Sequence, residues 1–166
     1  MRWIPAYVGL GSNLQNPPRQ IRAALAALAQ LPDTRLVCQS RLYGSRPYGP
    51  VAQADFCNAV AGLLTQLEAP ALLAALRALE AAHGREPACE RWGPRVIDLD
   101  LLVYGNECCA SGSLTLPHPG IAERSFVLRP WCDFAPDLMV PGLGSVAELA
   151  ARLPADDLWV IDSAGP

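Results

Sequence analysis

The sequence contains no lysine, and all 13 of its basic residues are arginine. Biased codon usage alone would explain this absence. Its consequence is the same in any case: a phosphate bound by a cation of this chain meets a guanidinium, which offers a planar fork of N–H donors. The net charge is −3, so the composition lacks the basic excess that is typical of nucleic-acid-binding proteins. We therefore expect no nucleic-acid partner.

The sequence also lacks the spacing of a zinc cluster, although its even number of cysteines would suit disulfides. Its six cysteines include no C-x-x-C pair and are accompanied by only two histidines. The first residues, 1–5, lack the long apolar stretch of a signal peptide, so we expect a reduced, cytoplasmic protein. Charges and prolines interrupt the apolar runs, which are too short to span a membrane.

The composition and hydrophobic periodicity predict one packed domain over residues 1–166, of which 51% are hydrophobic and 17% charged. The order of the predicted elements is β-α-β-β-α-β with a C-terminal extension, which is typical of a ferredoxin-like α+β sandwich. The predicted strands cover residues 3–10, 35–43, 56–64 and 95–104. The predicted helices begin after Asn16, as N-cap, and after Glu68. The extension is predicted to contain helices at 125–131 and 146–152 and a last strand at 158–161.

Two acidic residues, Asp98 and Asp100, lie two positions apart in an apolar segment. Successive side chains of a strand point to opposite faces, so both carboxylates are predicted to share one face. Two like charges so close repel each other and are costly to bury. A divalent cation removes this repulsion, and Mg²⁺ prefers carboxylate oxygens together with phosphates and water. An exposed strand whose acids face solvent would give the same pattern.

Two arginines just upstream, Arg91 and Arg95, favour the metal interpretation. Their guanidinium groups would neutralise phosphates that the metal also binds. A structural ion pair between Arg95 and Asp98 is the alternative.

Six ordered motifs give the chain a resemblance to a known family. They are residues 7–14 (YVGLGSNL), 40–50 (SRLYGSRPYGP), 55–60 (DFCNAV), 91–102 (RWGPRVIDLDLL), 114–118 (LTLPH) and 123–130 (ERSFVLRP). The sequence resembles the 6-hydroxymethyl-7,8-dihydropterin pyrophosphokinase family, and the resemblance covers nearly the whole chain. The resemblance implies transfer of pyrophosphate from ATP to the pterin hydroxymethyl group in folate biosynthesis, with release of AMP. It also implies that the partners are ATP and the pterin, and we expect a monomer.

The resemblance implies a catalytic centre made of Asp98, Asp100, Arg85 and Arg95. The two carboxylates match the ligands of two Mg²⁺ ions, and the two arginines match residues that meet the triphosphate. No covalent intermediate is needed, because positioning and charge neutralisation supply most of the rate. For Arg85, a solvated loop cation is the alternative.

The resemblance further assigns a nucleotide side and a pterin side. The nucleotide-side residues are Arg91, Trp92, Thr115, His118 and Arg124. The pterin-side residues are Ser45, Pro47, Tyr48, Phe56, Asn58 and Phe126. On residue type alone, His118 and Trp92 would be structural and both phenylalanines would be core residues. Asn58 needs a hydrogen-bond partner in any case, because it lies in an apolar run.

Four positions qualify the resemblance. The family often has arginine at the position of Pro87 and a basic residue at the position of Ser113, and it sometimes has tyrosine at the position of Pro119. The set of cations that would bind the phosphates is therefore smaller in this chain. Glu80 matches a family position, although we interpret it as an exposed helix residue.

Two other functions remain open from the sequence. One is a non-catalytic paralogue that binds pterin or nucleotide, which the intact Asp98 and Asp100 disfavour. The other is a different metal-dependent phosphotransferase on the same fold. The trio of Phe56, Asn58 and Phe126 disfavours that alternative, because another substrate would not require it.

Overall fold

The computed structural model describes residues 2–47, 49, 50, 52–84 and 96–162. In this part of the chain the fold is mixed α/β, with an antiparallel sheet and four α-helices. The strands are β1 (Ile4–Ser12), β2 (Thr34–Gln39), β3 (Leu42–Ser45), β4 (Phe56–Thr65), β5 (Asp98–Tyr104), β6 (Cys109–Ser111), β7 (Leu114–Leu116), β8 (Met139–Val140), β9 (Gly144–Ser145) and β10 (Leu158–Asp162). The helices are α1 (Pro17–Leu28), α2 (Ala69–Ala82), α3 (Ser125–Trp131) and α4 (Val146–Ala151), with a 3₁₀ turn at Ile121–Glu123.

The main sheet has the strand order β10-β3-β4-β1-β5, and β2 also pairs with β4. All of its strand pairs are antiparallel. The predicted strand over 35–43 is two strands, which pair with different halves of β4. The break falls at Ser40, whose Oγ accepts the Val60 N–H at 2.9 Å and donates to the Arg41 carbonyl at 2.7 Å. The hydroxyl group of Ser40 therefore replaces a backbone hydrogen-bond partner of β4 at the break.

The two faces of the sheet pack against different helices. Helices α1 and α2 cover one face, where Ile21, Leu28, Leu72 and Leu76 are fully buried. Helices α3 and α4 cover the other face around Trp131, whose ring centroid lies 5.4 Å from that of Tyr7. The sheet therefore has a core on each side. No helix among the described residues combines the length and apolar character that crossing a membrane requires.

The positions of both helix starts are correctly predicted, but the prediction that the Asn16 side chain caps the first helix is wrong. Asn16 precedes α1 with a left-handed φ of 64° and makes no side-chain capping bond. Its backbone carbonyl accepts the Gln20 N–H at 3.1 Å, which begins the helix without help from the amide. Helix α2 begins directly after Glu68 with a proline in its first turn, as predicted. Helix α3 continues through Pro130 to Trp131, as predicted.

The C-terminal strand β10 packs closely against β3. Leu158 pairs with Ser45, and Trp159 pairs with Gly44. A Cβ atom built on Gly44 would overlap the Trp159 indole ring. Glycine at position 44 therefore lets the indole ring lie directly on the backbone of β3.

We predict that Gly44→Ala destabilises the protein by about 1–3 kcal/mol, because the added methyl group forces the indole ring to move. Chemical denaturation of the two proteins measures this difference. The same substitution in a Trp159→Ala background is the control and should cost clearly less. Equal costs in both backgrounds would show that the indole ring does not limit position 44.

Candidate active site at one face of the sheet

A row of residues crosses the sheet on the face that α3 covers. Asn58 on β4 pairs with Gly11 on β1, and Gly11 pairs with Asp98 on β5. Paired residues share a face and neighbouring strands lie about 4.8 Å apart, so the Asn58 and Asp98 backbones are separated by about 10 Å. Gly11 has no side chain between them. The row therefore leaves an open floor between an amide and a carboxylate.

Gly11 borders two of the predicted pterin-side residues. A Cβ atom built there would lie 3.6 Å from Asn58 Oδ1 and 3.9 Å from Phe56 Cδ1. The sequence interpretation did not single out Gly11. The sequence could have indicated this residue, because a glycine inside a strand often marks the close approach of a ligand.

The Asn58 amide is held in one orientation by β3. This residue is 3% exposed, and its Nδ2 donates to Ser45 Oγ at 2.7 Å and to the Tyr43 carbonyl at 3.4 Å. Its Oδ1 therefore faces Gly11 as a hydrogen-bond acceptor. The structure thus brings together Ser45, Asn58 and Phe56, and Pro47 follows two residues after β3.

The two carboxylates project from β5 as predicted. Leu99 between them is fully buried on the opposite face. Asp100 Oδ2 lies 3.7 Å from Arg124 Nη1, and Asp100 Oδ1 lies 4.0 Å from His118 Nε2. The structure therefore gathers both acids, the histidine and the arginine in one cluster. The Arg124 guanidinium also lies 5.9 Å from the centroid of the Phe126 ring at the start of α3.

Burial shifts the pKa values of this cluster in opposite directions. Burial, followed by the charge of Asp98, raises the pKa of Asp100 to about 7. Burial, followed by the charge of Arg124, lowers the pKa of His118 to about 4, so this imidazole is neutral at neutral pH. His118 Nδ1 accepts the Gly120 N–H at 3.0 Å. The ring proton therefore resides on Nε2, which is a donor facing Asp100.

Asp98 and Asp100 fit the ligand preferences of Mg²⁺. Among the described residues, no group of three or more His, Cys, Asp or Glu side chains is placed to hold a metal ion. Mg²⁺ does not require such a group, because it commonly binds one or two carboxylates together with substrate phosphates and water. Burial and the charge of Asp98 raise the pKa of Asp100, and a divalent cation bound to the pair would lower it.

Glu80 corrects the interpretation of an exposed helix residue. It is 3% exposed, and its Oε2 accepts the Leu99 N–H at 2.8 Å. Arg77 Nη1 donates to Glu80 Oε1 at 2.9 Å and to the Leu99 carbonyl at 3.2 Å. Strand β5 lies at the end of the sheet order, so its outward backbone groups need partners from elsewhere. The Arg77–Glu80 pair supplies them at the peptide between the two aspartates.

An open cavity of about 180 Å³ lies beside Asp100. It is lined by Leu73, Arg77, Asp100, Leu101, Ser113, Leu114, Thr115, His118 and Pro119. Two residues predicted for the nucleotide side, Thr115 and His118, therefore share this cavity. Its position next to the carboxylate pair suits a ligand whose far end reaches a metal there.

Five predicted site residues lie outside the described residues. They are Tyr48, Arg85, Arg91, Trp92 and Arg95, and Pro87 lies there too. Their roles stay predictions from the sequence.

We predict that Asp100→Asn stabilises the metal-free protein at pH 8 by about 1–3 kcal/mol. The folded pKa of about 7 lies above the ordinary aspartate value of 3.8. The unfolded chain therefore loses this proton first, and stability falls as the pH rises from about 4 to 7. The gain in the variant should vanish below pH 4 and level off above pH 7. Denaturation at several pH values checks this, with the exposed Asp137→Asn as control. A loss of stability at pH 8 would make Asp100 a structural partner of Arg124.

Comparison with known proteins identifies relatives of this chain. The family model described as 7,8-dihydro-6-hydroxymethylpterin-pyrophosphokinase (HPPK) matches residues 7–136. The chain is 44% identical over 149 residues to the 2-amino-4-hydroxy-6-hydroxymethyldihydropteridine pyrophosphokinase of Haemophilus influenzae, covering 90% of this chain and 92% of that protein. It is 47% identical over 152 residues to the protein of the same name from Pseudomonas aeruginosa, covering 92% of this chain and 93% of the relative.

Solved structures show the same fold at low sequence identity. A crystal structure of HPPK-DHPS in complex with substrates superposes with a TM-score of 0.72 and 11% identity, covering 92% of this chain. Wild-type Plasmodium falciparum HPPK-DHPS superposes with a TM-score of 0.70 and 12% identity. This chain spans 43% and 41% of the lengths of those two chains. The matched family model and the bacterial relatives show that the chain belongs to the 7,8-dihydro-6-hydroxymethylpterin-pyrophosphokinase family.

Proposed function

We propose that this protein is an ATP-dependent pyrophosphokinase that transfers pyrophosphate from ATP to the hydroxymethyl group of 6-hydroxymethyl-7,8-dihydropterin. The step belongs to folate biosynthesis and releases AMP. The observation that carries the proposal is the row of Asn58, Gly11 and Asp98 on one face of the sheet. A flat ring on the glycine floor, with its edge at the amide, would direct its hydroxymethyl arm toward the carboxylates.

The reaction exchanges one phosphorus–oxygen bond for another. The hydroxymethyl oxygen attacks the β-phosphorus of ATP and releases its proton. The bond from the β-phosphorus to the oxygen shared with the α-phosphate breaks, and its electron pair stays on AMP. We propose that Asp98 and Asp100 hold two Mg²⁺ ions, which supply charge neutralisation of the phosphates. The protein's part is to position both substrates and to exclude water.

The pterin side of the proposed site is built on β3 and β4. Asn58 Oδ1 accepts a hydrogen bond from the ring edge while Ser45 holds its Nδ2. Phe56 and Phe126 provide apolar faces for stacking, which contributes about 0.5–1.5 kcal/mol beyond burial. Pro47 and Tyr48 belong to this side by resemblance alone. A buried amide oxygen held as an acceptor discriminates against ring edges that lack a donor, because such an edge leaves the oxygen unpaired.

The nucleotide side of the proposed site is the cavity beside Asp100. The neutral His118 donates from Nε2 to a phosphate oxygen. Thr115 and Arg124 are the other described residues assigned to this side. Arg85, Arg91, Trp92 and Arg95 join this side by resemblance. Burial, followed by the charge of Arg124, lowers the pKa of His118, so the donor at Nε2 is the proton of a neutral imidazole.

We further propose a ferredoxin-like arrangement in a single domain over residues 1–166, acting as a cytoplasmic monomer. The strand order supports the arrangement, because β1 lies between β4 and β5 while α1 and α2 cover the same face. The non-catalytic alternative is disfavoured, because the amide and both carboxylates are present on one face of the sheet.

Incubation of the protein with ATP, Mg²⁺ and the hydroxymethyl dihydropterin should yield AMP in a one-to-one ratio with pterin pyrophosphate. Separation of the nucleotide products measures this ratio. ADP as the main product would mean transfer of a single phosphoryl group and would refute the assignment. Omission of the pterin is the control and should leave ATP intact.

Asn58→Ala should weaken pterin binding by about 1–3 kcal/mol, because it removes a buried partner of the ring edge. ATP binding without pterin should change little. Calorimetry with each ligand separates the two effects. The exposed Asn106→Ala is the matched control and should bind both ligands as the unaltered protein does. Equal losses for both ligands would indicate a folding defect.

A further inference from the structure

The cavity beside Asp100 contains a cation that the sequence interpretation did not assign. Arg77 on α2 lines this cavity together with Asp100, Thr115 and His118. Among the described residues that line the cavity, Arg77 is the one arginine. An anionic ligand in this cavity meets its guanidinium.

The lining of the cavity changes from apolar to charged along α2. Leu73 and Arg77 are four residues apart, which places them one above the other on the same helix face about 6 Å apart. Leu73 joins Leu101 and Leu114 in an apolar part of the lining. Arg77 reaches the Leu99 carbonyl, next to Asp100 in the chain. The lining thus runs from an apolar surface to a cation and then to a carboxylate. A nucleotide has the matching order, with an apolar base, then phosphates, then the phosphates that bind a metal.

The Arg77 guanidinium is fixed in position but remains accessible. Both of its hydrogen bonds to described residues use Nη1, with Glu80 and the Leu99 carbonyl as acceptors. Its side chain is 50% exposed, whereas that of Glu80 is 4% exposed. The donors on Nε and Nη2 therefore stay available to a ligand. Because one nitrogen is already anchored, binding a phosphate costs little side-chain entropy.

We propose that Arg77 binds a phosphate of the nucleotide, and that Glu80 positions it for this contact. The inference rests on the proposed function, since it takes ATP as the occupant of the cavity. Through Leu99 the same arginine also contacts the strand that carries Asp98 and Asp100. Nucleotide and metal ligands are thus linked by one side chain. A purely structural role, as partner of Glu80, is the alternative.

A phosphate series tests the contact. Adenosine, AMP and Mg²⁺–ATP are titrated without pterin into the unaltered protein and into Arg77→Gln, which keeps a donor for the Leu99 carbonyl. Adenosine affinity should stay within twofold. ATP affinity should fall about tenfold or more, as expected for loss of a charge-assisted hydrogen bond. AMP shows the same loss if the contact is to the α-phosphate. Arg19→Gln, an exposed arginine on α1, removes the same charge and should leave all three affinities unchanged.

The outcomes separate the possibilities. Equal losses for adenosine and ATP, or no loss for either, would overturn the inference in favour of a structural role. Arg77→Lys keeps the charge and guards against misfolding of the glutamine variant. It should recover part of the ATP affinity, and lysine and glutamine variants of identical affinity would also overturn the inference. If the unaltered protein does not bind ATP, the proposed function fails first.

Discussion

The site depends on two like charges held close together on a strand at the end of the sheet. Asp98 and Asp100 share one face of β5, and burial together with their mutual repulsion raises the pKa of Asp100 to about 7. Such a pair is tolerated only where positive charge or a bound cation offsets the repulsion. Arg124 lies 3.7 Å from one oxygen of Asp100, which compensates part of the charge. The two carboxylates together make this edge of the sheet suited to a divalent cation and to the phosphates that accompany it.

The surrounding structure keeps this pair in place from two sides. Behind β5, the buried Glu80 and its partner Arg77 bind the Leu99 peptide. In front, the Leu102 carbonyl accepts the His118 N–H at 2.8 Å, which holds the histidine over the strand. Neither contact involves the carboxylates themselves, so the backbone of the strand is held independently of them. Placement of the two carboxylates on a braced strand gives a more constant spacing than a loop would.

Much of the architecture and part of the site could be predicted from the sequence. The alternation around Leu99 predicted the shared face of the carboxylates, and the β-α-β-β-α-β order predicted the elements of the sheet. The motifs identified Ser45 and Asn58, which the structure joins by a hydrogen bond. The roles of Glu80 and Arg77 could not be predicted, because they depend on which backbone groups of β5 lack a strand neighbour. The break at Ser40 was missed for a similar reason, since a side chain replaces a backbone contact there.

The position of β10 has a consequence for how the pterin side of the proposed site forms. Strand β10 pairs with β3, so residues 158–160 contact residues 43–45 across more than 110 intervening residues. Contacts of such sequence separation carry a high loop-closure entropy and tend to form after local structure. The Ser45 hydroxyl orients Asn58 and lies in β3. The outer neighbour of β3 is β10, which lies far along the chain. In folding terms, the wall beside Ser45 is completed late and is among the first parts of the sheet to fray.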